Sequence, residues 1–399
     1  MNPPDEFTKR QNEWADDADR VPVMIARTIC NFSRGVVNAR RAFNYSQQQH
    51  PRKLACWNPV AARAFNREES ASASCLAAGL SLALVASGYG TATNCGWFSS
   101  DVPEQQSTKL EDLYEVGQKV MGEGCFGAVR MARRRSGSTG RGDGLVVKTI
   151  DMHRAGRDDV EREIAVMQQI EDSGGCPHII AFVEALHTRS HAHIVMECAA
   201  GGDLFDVVHR DGMFTERRAA RLARELAVAL SFLHDRGFVH QDVKPENVMF
   251  NSQGCTKLVD FGCCVRSSSE LATEQLFVQG TTGYMPPEWQ SAAQQRQMHE
   301  SSSATDMWGL GCILFVVLAG FHPFDPSGDA TVEQMEQRVV SFGRAGAKDA
   351  WHIDFNHRNW DDVSHEAKAL VRALLERVPK KRPTADDVLC HPWVQANCK

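Results

Sequence analysis

Asp242, Lys244 and Asn247 fall within six residues, and Asp260 follows a short way downstream. A carboxylate, an ammonium and a carboxamide in so short a run can accept a proton, neutralise negative charge and offer a metal-binding oxygen. Two apolar runs, Val248–Met249–Phe250 and Leu258–Val259, are separated by Asn251-Ser252-Gln253-Gly254, which reads as a tight turn. The spacing therefore predicts a hairpin that brings Asn247 and Asp260 side by side at one edge. Two oxygen ligands there suit a hard ion such as Mg²⁺, whose other partners are waters and phosphates. Asp242 and Lys244, two apart in extended chain, can point the same way.

Several elements must position this group. Upstream, Thr215–Asp235 reads as a helix with Leu222, Leu226, Ala229, Leu230 and Leu233 on one face and Gly237 as its stop. Earlier still, Gly122-Glu123-Gly124-Cys125-Phe126-Gly127 lies between the apolar strand positions Val116/Val120 and Val129/Met131. Glycines in a strand–turn–strand allow close approach to phosphates, and a strand following them disfavours the dinucleotide fold, where a helix follows. Leu145-Val146-Val147-Lys148 ends an apolar strand on a cation. In the predicted helix Asp159–Ile170, Glu163 lies on the stripe of Val160, Ile164, Met167 and Ile170. A carboxylate beside a buried stripe needs a cation, and Lys148 is the natural partner. His193–Glu197 reads as a strand entering a glycine-containing connector. Downstream, the segment beginning at Asp306 starts polar and becomes apolar all round, as a buried helix does.

The stretch His240-Gln241-Asp242-Val243-Lys244-Pro245-Glu246-Asn247, followed by Asp260-Phe261-Gly262, resembles the catalytic and metal-binding loops of eukaryotic protein kinases, in the form used by Ser/Thr kinases. The resemblance extends over roughly residues 113–394 and implies an α+β bilobal fold. A small antiparallel sheet lobe with one helix (113–197) would precede a larger, mainly helical lobe (198–394). It implies transfer of the ATP γ-phosphate to protein serine or threonine hydroxyls, with ATP and Mg²⁺ required. Asp242 would take the hydroxyl proton, Lys244 would stabilise the moving phosphoryl group, and Asn247 and Asp260 would hold the metal. The loop Gly122, Glu123, Gly124, Cys125, Phe126 and Gly127, with Lys148 braced by Glu163, would hold the phosphates. Val129, Val146, Met196 as gatekeeper, Glu197 to Ala199 as hinge and Met249 would enclose the base. Thr281 matches a threonine that hydrogen-bonds the catalytic aspartate and lysine. Glu288, Asp306 and Arg382 match scaffold positions, and His391-Pro392-Trp393 is similar to the end of calcium/calmodulin-type kinases. Asp203 and Glu246 match positions that contact an arginine three residues before the acceptor in basophilic relatives.

Three departures stand out from the family pattern: Val146 where Ala is usual, Gln241 where most members carry Arg, and Pro286 in place of Ala. They leave open a pseudokinase that binds nucleotide or partners without catalysis, although none removes the base or a metal ligand. A small-molecule phosphotransferase is the third reading, weakened by the Gly280–Glu288 and Asp306 motifs. Without the arginine, phosphate at Ser267–Ser269 or Thr273 would lack its main anchor, so a segment ordered without phosphorylation is expected.

Net charge is −6, which argues against nucleic acid as the main partner. Thirteen scattered cysteines without a CxxC pair suit a reducing, intracellular compartment, the cytoplasm first. Cys125, Cys263 and Cys264 flank the expected phosphate site and read as ordinary loop and core thiols. The first 107 residues differ from the rest. Residues 24–67 contain no acid while arginines accumulate, and residues 71–87 are small and apolar. This reads as a low-complexity, disordered arm, with organelle targeting or membrane attachment as the alternative. The chain ends soon after Trp393, so a C-terminal calmodulin-binding helix, and with it calcium control, is not expected.

Overall fold

The computed structural model describes residues 109–124, 127–135, 144–267, 281–295, 302–344 and 351–398. The expectations for the N-terminal arm, for Cys125 and Phe126, and for Ser268, Ser269 and Thr273 lie outside the described residues.

Period-2 alternation builds the first lobe. A one-turn helix, α1 (Leu110–Leu113), leads into β1 (Tyr114–Gly124), β2 (Gly127–Arg134) and β3 (Leu145–Asp151). After a second one-turn helix, α2 (Met152–Ala155), and α3 (Arg157–Asp172) come β4 (Phe182–His187) and β5 (His191–Glu197). The five strands form one antiparallel sheet in the order β1-β2-β3-β5-β4. Successive side chains point to opposite faces. Leu145, Val147 and Val195 therefore face outward and pack with Leu110, Tyr114 and Ala132 in a satellite core. Val146, Lys148 and Ile150 face inward. The sequence reading expected one helix here; α1 and α2 are additions, and α1 owes its place to Leu110 covering the outer face.

α3 carries Asp158 and Asp159 in its first turn, where the helix dipole favours negative charge. Its buried stripe is Val160, Glu163, Val166, Met167 and Ile170, so a carboxylate rides within an apolar face. Gly174 and Gly175 end the helix at φ 97° and 63°.

The second lobe is mostly helical, beginning with α4 (Leu204–Asp211) and α5 (Glu216–His234). Thr215 caps α5 by accepting the Arg218 N–H, and Leu226, Leu230 and Leu233 are fully buried. Each such side chain contributes about 1.5–3 kcal/mol. Gly237, at φ 72°, then turns the chain into β6 (Phe238–Val239). The expected hairpin is formed by β7 (Val248–Phe250) and β8 (Thr256–Leu258), with the Asn251 carboxamide accepting the N–H groups of Gln253 and Cys255 in its turn. β9 (Val265–Arg266) pairs with β6.

Beyond them lie α6 (Pro287–Gln295), α7 (Ala304–Ala319) and α8 (Val332–Ser341). α9 (His365–Leu374), α10 (Ala385–Cys390) and α11 (Pro392–Asn397) follow. α7 is buried on nearly all sides, as its uniformly apolar composition requires. Trp393 closes the lobe by donating its indole N–H to Glu216, which also accepts from Ser364.

Candidate active site

The catalytic loop hangs from the buried end of α7. Asp306, fully buried, accepts the backbone N–H of His240 at 2.9 Å and of Gln241 at 2.8 Å. His234, at the end of α5, sits 2.8 Å from the same carboxylate. These bonds hold Gln241 in the left-handed region, at φ 68°, a conformation costing a non-glycine residue about 1–2 kcal/mol. The other described non-glycine residue with positive φ is Asp260, at 64°. Gln241 adjoins Asp242, and Asp260 is itself one of the residues singled out for chemistry.

Asp242 is held on both oxygens. Its Oδ2 lies 2.7 Å from Lys244 Nζ and accepts from Asn247 Nδ2 at 3.0 Å, while Oδ1 accepts the Thr281 N–H at 3.0 Å. Lys244 also donates to the Thr281 hydroxyl at 2.6 Å. Thr281 thus meets the lysine through its side chain and the aspartate through its backbone. Asn247 spends its N–H₂ on Asp242, donating to its carbonyl as well, which leaves the amide oxygen for a cation. Val259 N–H donates to the Asn247 carbonyl at 3.0 Å, so the hairpin sets Asn247 and Asp260 on adjoining edges.

Across the cleft, Lys148 Nζ lies 2.6 Å from Glu163 and 3.3 Å from Asp260. Burial acts to lower the lysine pKa, but Asp260 and Glu163 outweigh it and hold the ammonium charged. The Lys148 cation beside Asp260 brings that carboxyl down to about 2. Burial pushes Glu163 upward, partly offset by Lys148. An ionised carboxylate and an amide oxygen form a donor set that fits a hard divalent cation.

Strand register lines the base end of the cleft. Val129 and Ile194 flank Lys148, and Met131 and Met196 flank Val146, on one face of the sheet. Val146 is buried, and its isopropyl group takes space that alanine would leave open. Met249 contributes from β7 and pairs with Asp203. Glu197 turns its carboxylate to Lys257, at 2.8 Å, and to the Ala181 N–H. Its backbone N–H is donated to the Ala181 carbonyl at 2.9 Å, next to the buried Cys198 and Ala199. In the glycine loop, a Cβ on Gly127 would lie 1.8 Å from the Thr149 carbonyl, so only glycine fits. Among the described residues, Gly122 has nothing within 4 Å of that position. Glu123 and Gly124 end β1 beside it.

Glu288 and Arg382 make a two-pronged pair at 2.7 Å for each prong, far from the reacting groups, and anchor α6 to the end of the lobe. At Cys263, burial first, then Asp242 and Asp260, push the thiol pKa up. Burial does the same to Cys264.

Sequence reasoning missed three participants. His240 donates from Nε2 to the Val259 carbonyl and meets Phe261 edge-on at 5.2 Å, tying the two loops together. Lys257 braces the Glu197 carboxylate, a partner distant in sequence that no spacing pattern announces. His322 packs beneath the segment that carries Thr281.

A family model for the protein kinase domain matches residues 114–394. The chain is 33% identical over 301 residues to the serine/threonine-protein kinase PKZ1 of Phytophthora infestans, covering 70% of each. It is 30% identical to the serine/threonine-protein kinase PEPKR2 of Arabidopsis thaliana, over 78% of this chain and 59% of that one. Calcium-dependent protein kinase 2 of Arabidopsis thaliana is 33% identical over 76% of this chain, which spans only 44% of that relative. The chain belongs to the protein kinase family and is a serine/threonine protein kinase that uses ATP and a divalent metal ion.

Proposed function

We propose that Asp242 accepts the proton of a substrate serine or threonine hydroxyl as that oxygen bonds to the γ-phosphorus of ATP and the bond to the β-phosphate oxygen breaks. The observation that carries this reading is the fixing of Asp242 by Lys244, Asn247 and Thr281 at 2.7–3.0 Å. Lys244 neutralises charge on the transferring group, and Lys148, braced by Glu163, orients the nucleotide phosphates. Asn247 and Asp260 hold the metal, which we take to be Mg²⁺; bound there, it neutralises phosphate charge. The hinge backbone from Glu197 to Ala199 holds the base. A binding-only pseudokinase is not favoured, because neither the base nor a metal ligand is missing.

The substrate preference rests on Glu246. Its Oε2 is buried without a hydrogen-bond partner, and burial, with the charges of Asp242 and Asp203 adding to it, pushes its pKa up. A guanidinium would supply the missing donor. In this reading the kinase prefers arginine three residues before the acceptor. The position available to a further acidic contact in α7 is Val316, so a second arginine gains nothing. A peptide array should show arginine enriched at that one position and the enrichment reduced in Glu246→Gln. An acidic or proline-directed profile would contradict the assignment.

We place the protein in the cytoplasm, a reducing compartment, on the ground that its thirteen scattered cysteines include no CxxC pair. Attachment of the N-terminal arm to a membrane or organelle is the alternative. Localisation of full-length and arm-deleted fusions distinguishes the two.

A further inference from the structure

His322 lies in the turn after α7, half-buried beneath the segment that follows Thr281. Its ring meets Tyr284 edge-on, with centroids 4.9 Å apart and planes at 80°. Its Nδ1 accepts the Phe324 N–H at 3.2 Å, which puts the ring proton of the neutral form on Nε2. That Nε2–H has no hydrogen-bond partner among the described residues. It faces Gly283: a Cβ there would lie 3.5 Å from Nε2 and 2.6 Å from Met335 Sδ on α8. Glycine is therefore what allows the backbone to settle onto the imidazole. The Gly283 backbone is close enough to the ring to favour its protonated form slightly, against the larger lowering by burial, but falls short of a hydrogen bond of normal geometry.

A buried donor left unmatched costs about 1–3 kcal/mol, and this one sits under a single helical turn, Thr282–Tyr284. Tyr284 N–H closes that turn onto the Thr281 carbonyl at 2.9 Å. Thr281 in turn holds Lys244 and Asp242. A short, connected path thus runs from the imidazole to both groups that act on the moving phosphoryl.

We propose that His322 is a positioning residue for phosphoryl transfer, whose Nε2–H engages the Gly283 backbone as substrate docks and fixes the turn that places Thr281 against Lys244 and Asp242. Acting on the placement of reacting groups and not on the nucleotide, it governs kcat and leaves ATP binding alone.

The test uses the full chain, the best serine peptide from an array, and ATP. His322→Gln keeps an amide N–H near the height of Nε2, His322→Asn moves it to the height of Nδ1, and His322→Phe removes it. The Asn and Phe variants should lose about tenfold or more in kcat with KM for ATP unchanged, and the Gln variant should stay within about threefold of wild type. Equal kcat in the Gln and Asn variants, or a wild-type kcat in the Phe variant, would overturn the proposal. Should the Asn and Phe variants fail to fold, Gly283→Ala displaces the turn from the opposite side. A kcat loss with unchanged ATP affinity supports the proposal, and an unchanged kcat removes it.

Discussion

Val146 lies on the cleft face of β3 between Met131 and Met196, two residues before Lys148, and its two additional methyl groups narrow the cleft there relative to alanine, in the space proposed for the base. Val146→Ala should lower KM for ATP about threefold, equivalent to roughly 0.7 kcal/mol, with kcat unchanged. A rise in KM would mean instead that the isopropyl group packs productively on adenine. His322 gives a second prediction at this scale. Burial lowers its pKa from 6.5 to about 4, opposed by Asp325 and by the Gly283 backbone. The neutral ring is favoured in the fold, so protons bind the unfolded chain more tightly. Stability from this group is complete above pH 6.5, declines as pH falls toward 4, and changes no further below that. The full difference is about 3 kcal/mol. Urea unfolding between pH 7 and 4 should show this slope in the wild type and its reduction in His322→Gln; identical slopes would exclude the ring as its source.

At the scale of elements, α1 is the piece whose contribution exceeds its four residues. Leu110 and Tyr114 are buried on the outer face of the sheet; the Tyr114 hydroxyl donates to Glu184 at 2.5 Å, and Arg134 pairs with the same carboxylate. A chain beginning at Pro103 keeps this clamp and should fold and retain activity. One beginning at Glu115 exposes apolar surface that contributed roughly 3–6 kcal/mol and should melt markedly lower. Equal melting temperatures for the two truncations would show that α1 only decorates the sheet. The elements that were legible in sequence are those with long, clean periodicity. The leucine face of α5, the all-apolar α7 and the β7–β8 hairpin with its Asn-Ser-Gln-Gly turn each announce their own geometry. The Lys148–Glu163 pair was legible because a carboxylate on an apolar stripe demands a cation. α1 was not, since one turn has no period to read and Leu110 gains its meaning only from the outer face it covers. Lys257 and His322 were hidden for a related reason. Their partners, Glu197 and the Gly283 turn, are distant in sequence, and an isolated lysine or histidine carries no spacing signal.

At the scale of the whole molecule, the question is what holds the two lobes in working order. Lys148 reaches both Glu163 on α3 and Asp260 on the opposite lobe, and His240 joins the catalytic loop to Phe261. Thr281 is already bonded to Lys244 and Asp242 in the unmodified chain. Gln241 is neutral, so an activation-segment phosphate of charge near −2 would find no guanidinium at the position next to Asp242. Arg266, the cation at the start of that segment, is engaged with Gln169 on α3 and lies over Phe238. We therefore expect control by abundance, location or a partner rather than by phosphorylation of residues 267–273. The central claim is that Asp242 performs phosphoryl transfer in a site complete without that modification. The most direct measurement is the steady-state rate of phosphate transfer by the full chain with Ser267, Ser268, Ser269 and Thr273 changed to Ala, with and without Asp242→Asn. The account predicts a kcat within a few-fold of wild type for the alanine chain, and a loss of at least about a thousandfold on adding Asp242→Asn. A hundredfold fall in the alanine chain, about 2.7 kcal/mol of barrier, reversed by a phosphomimetic, or transfer that survives Asp242→Asn, would contradict it.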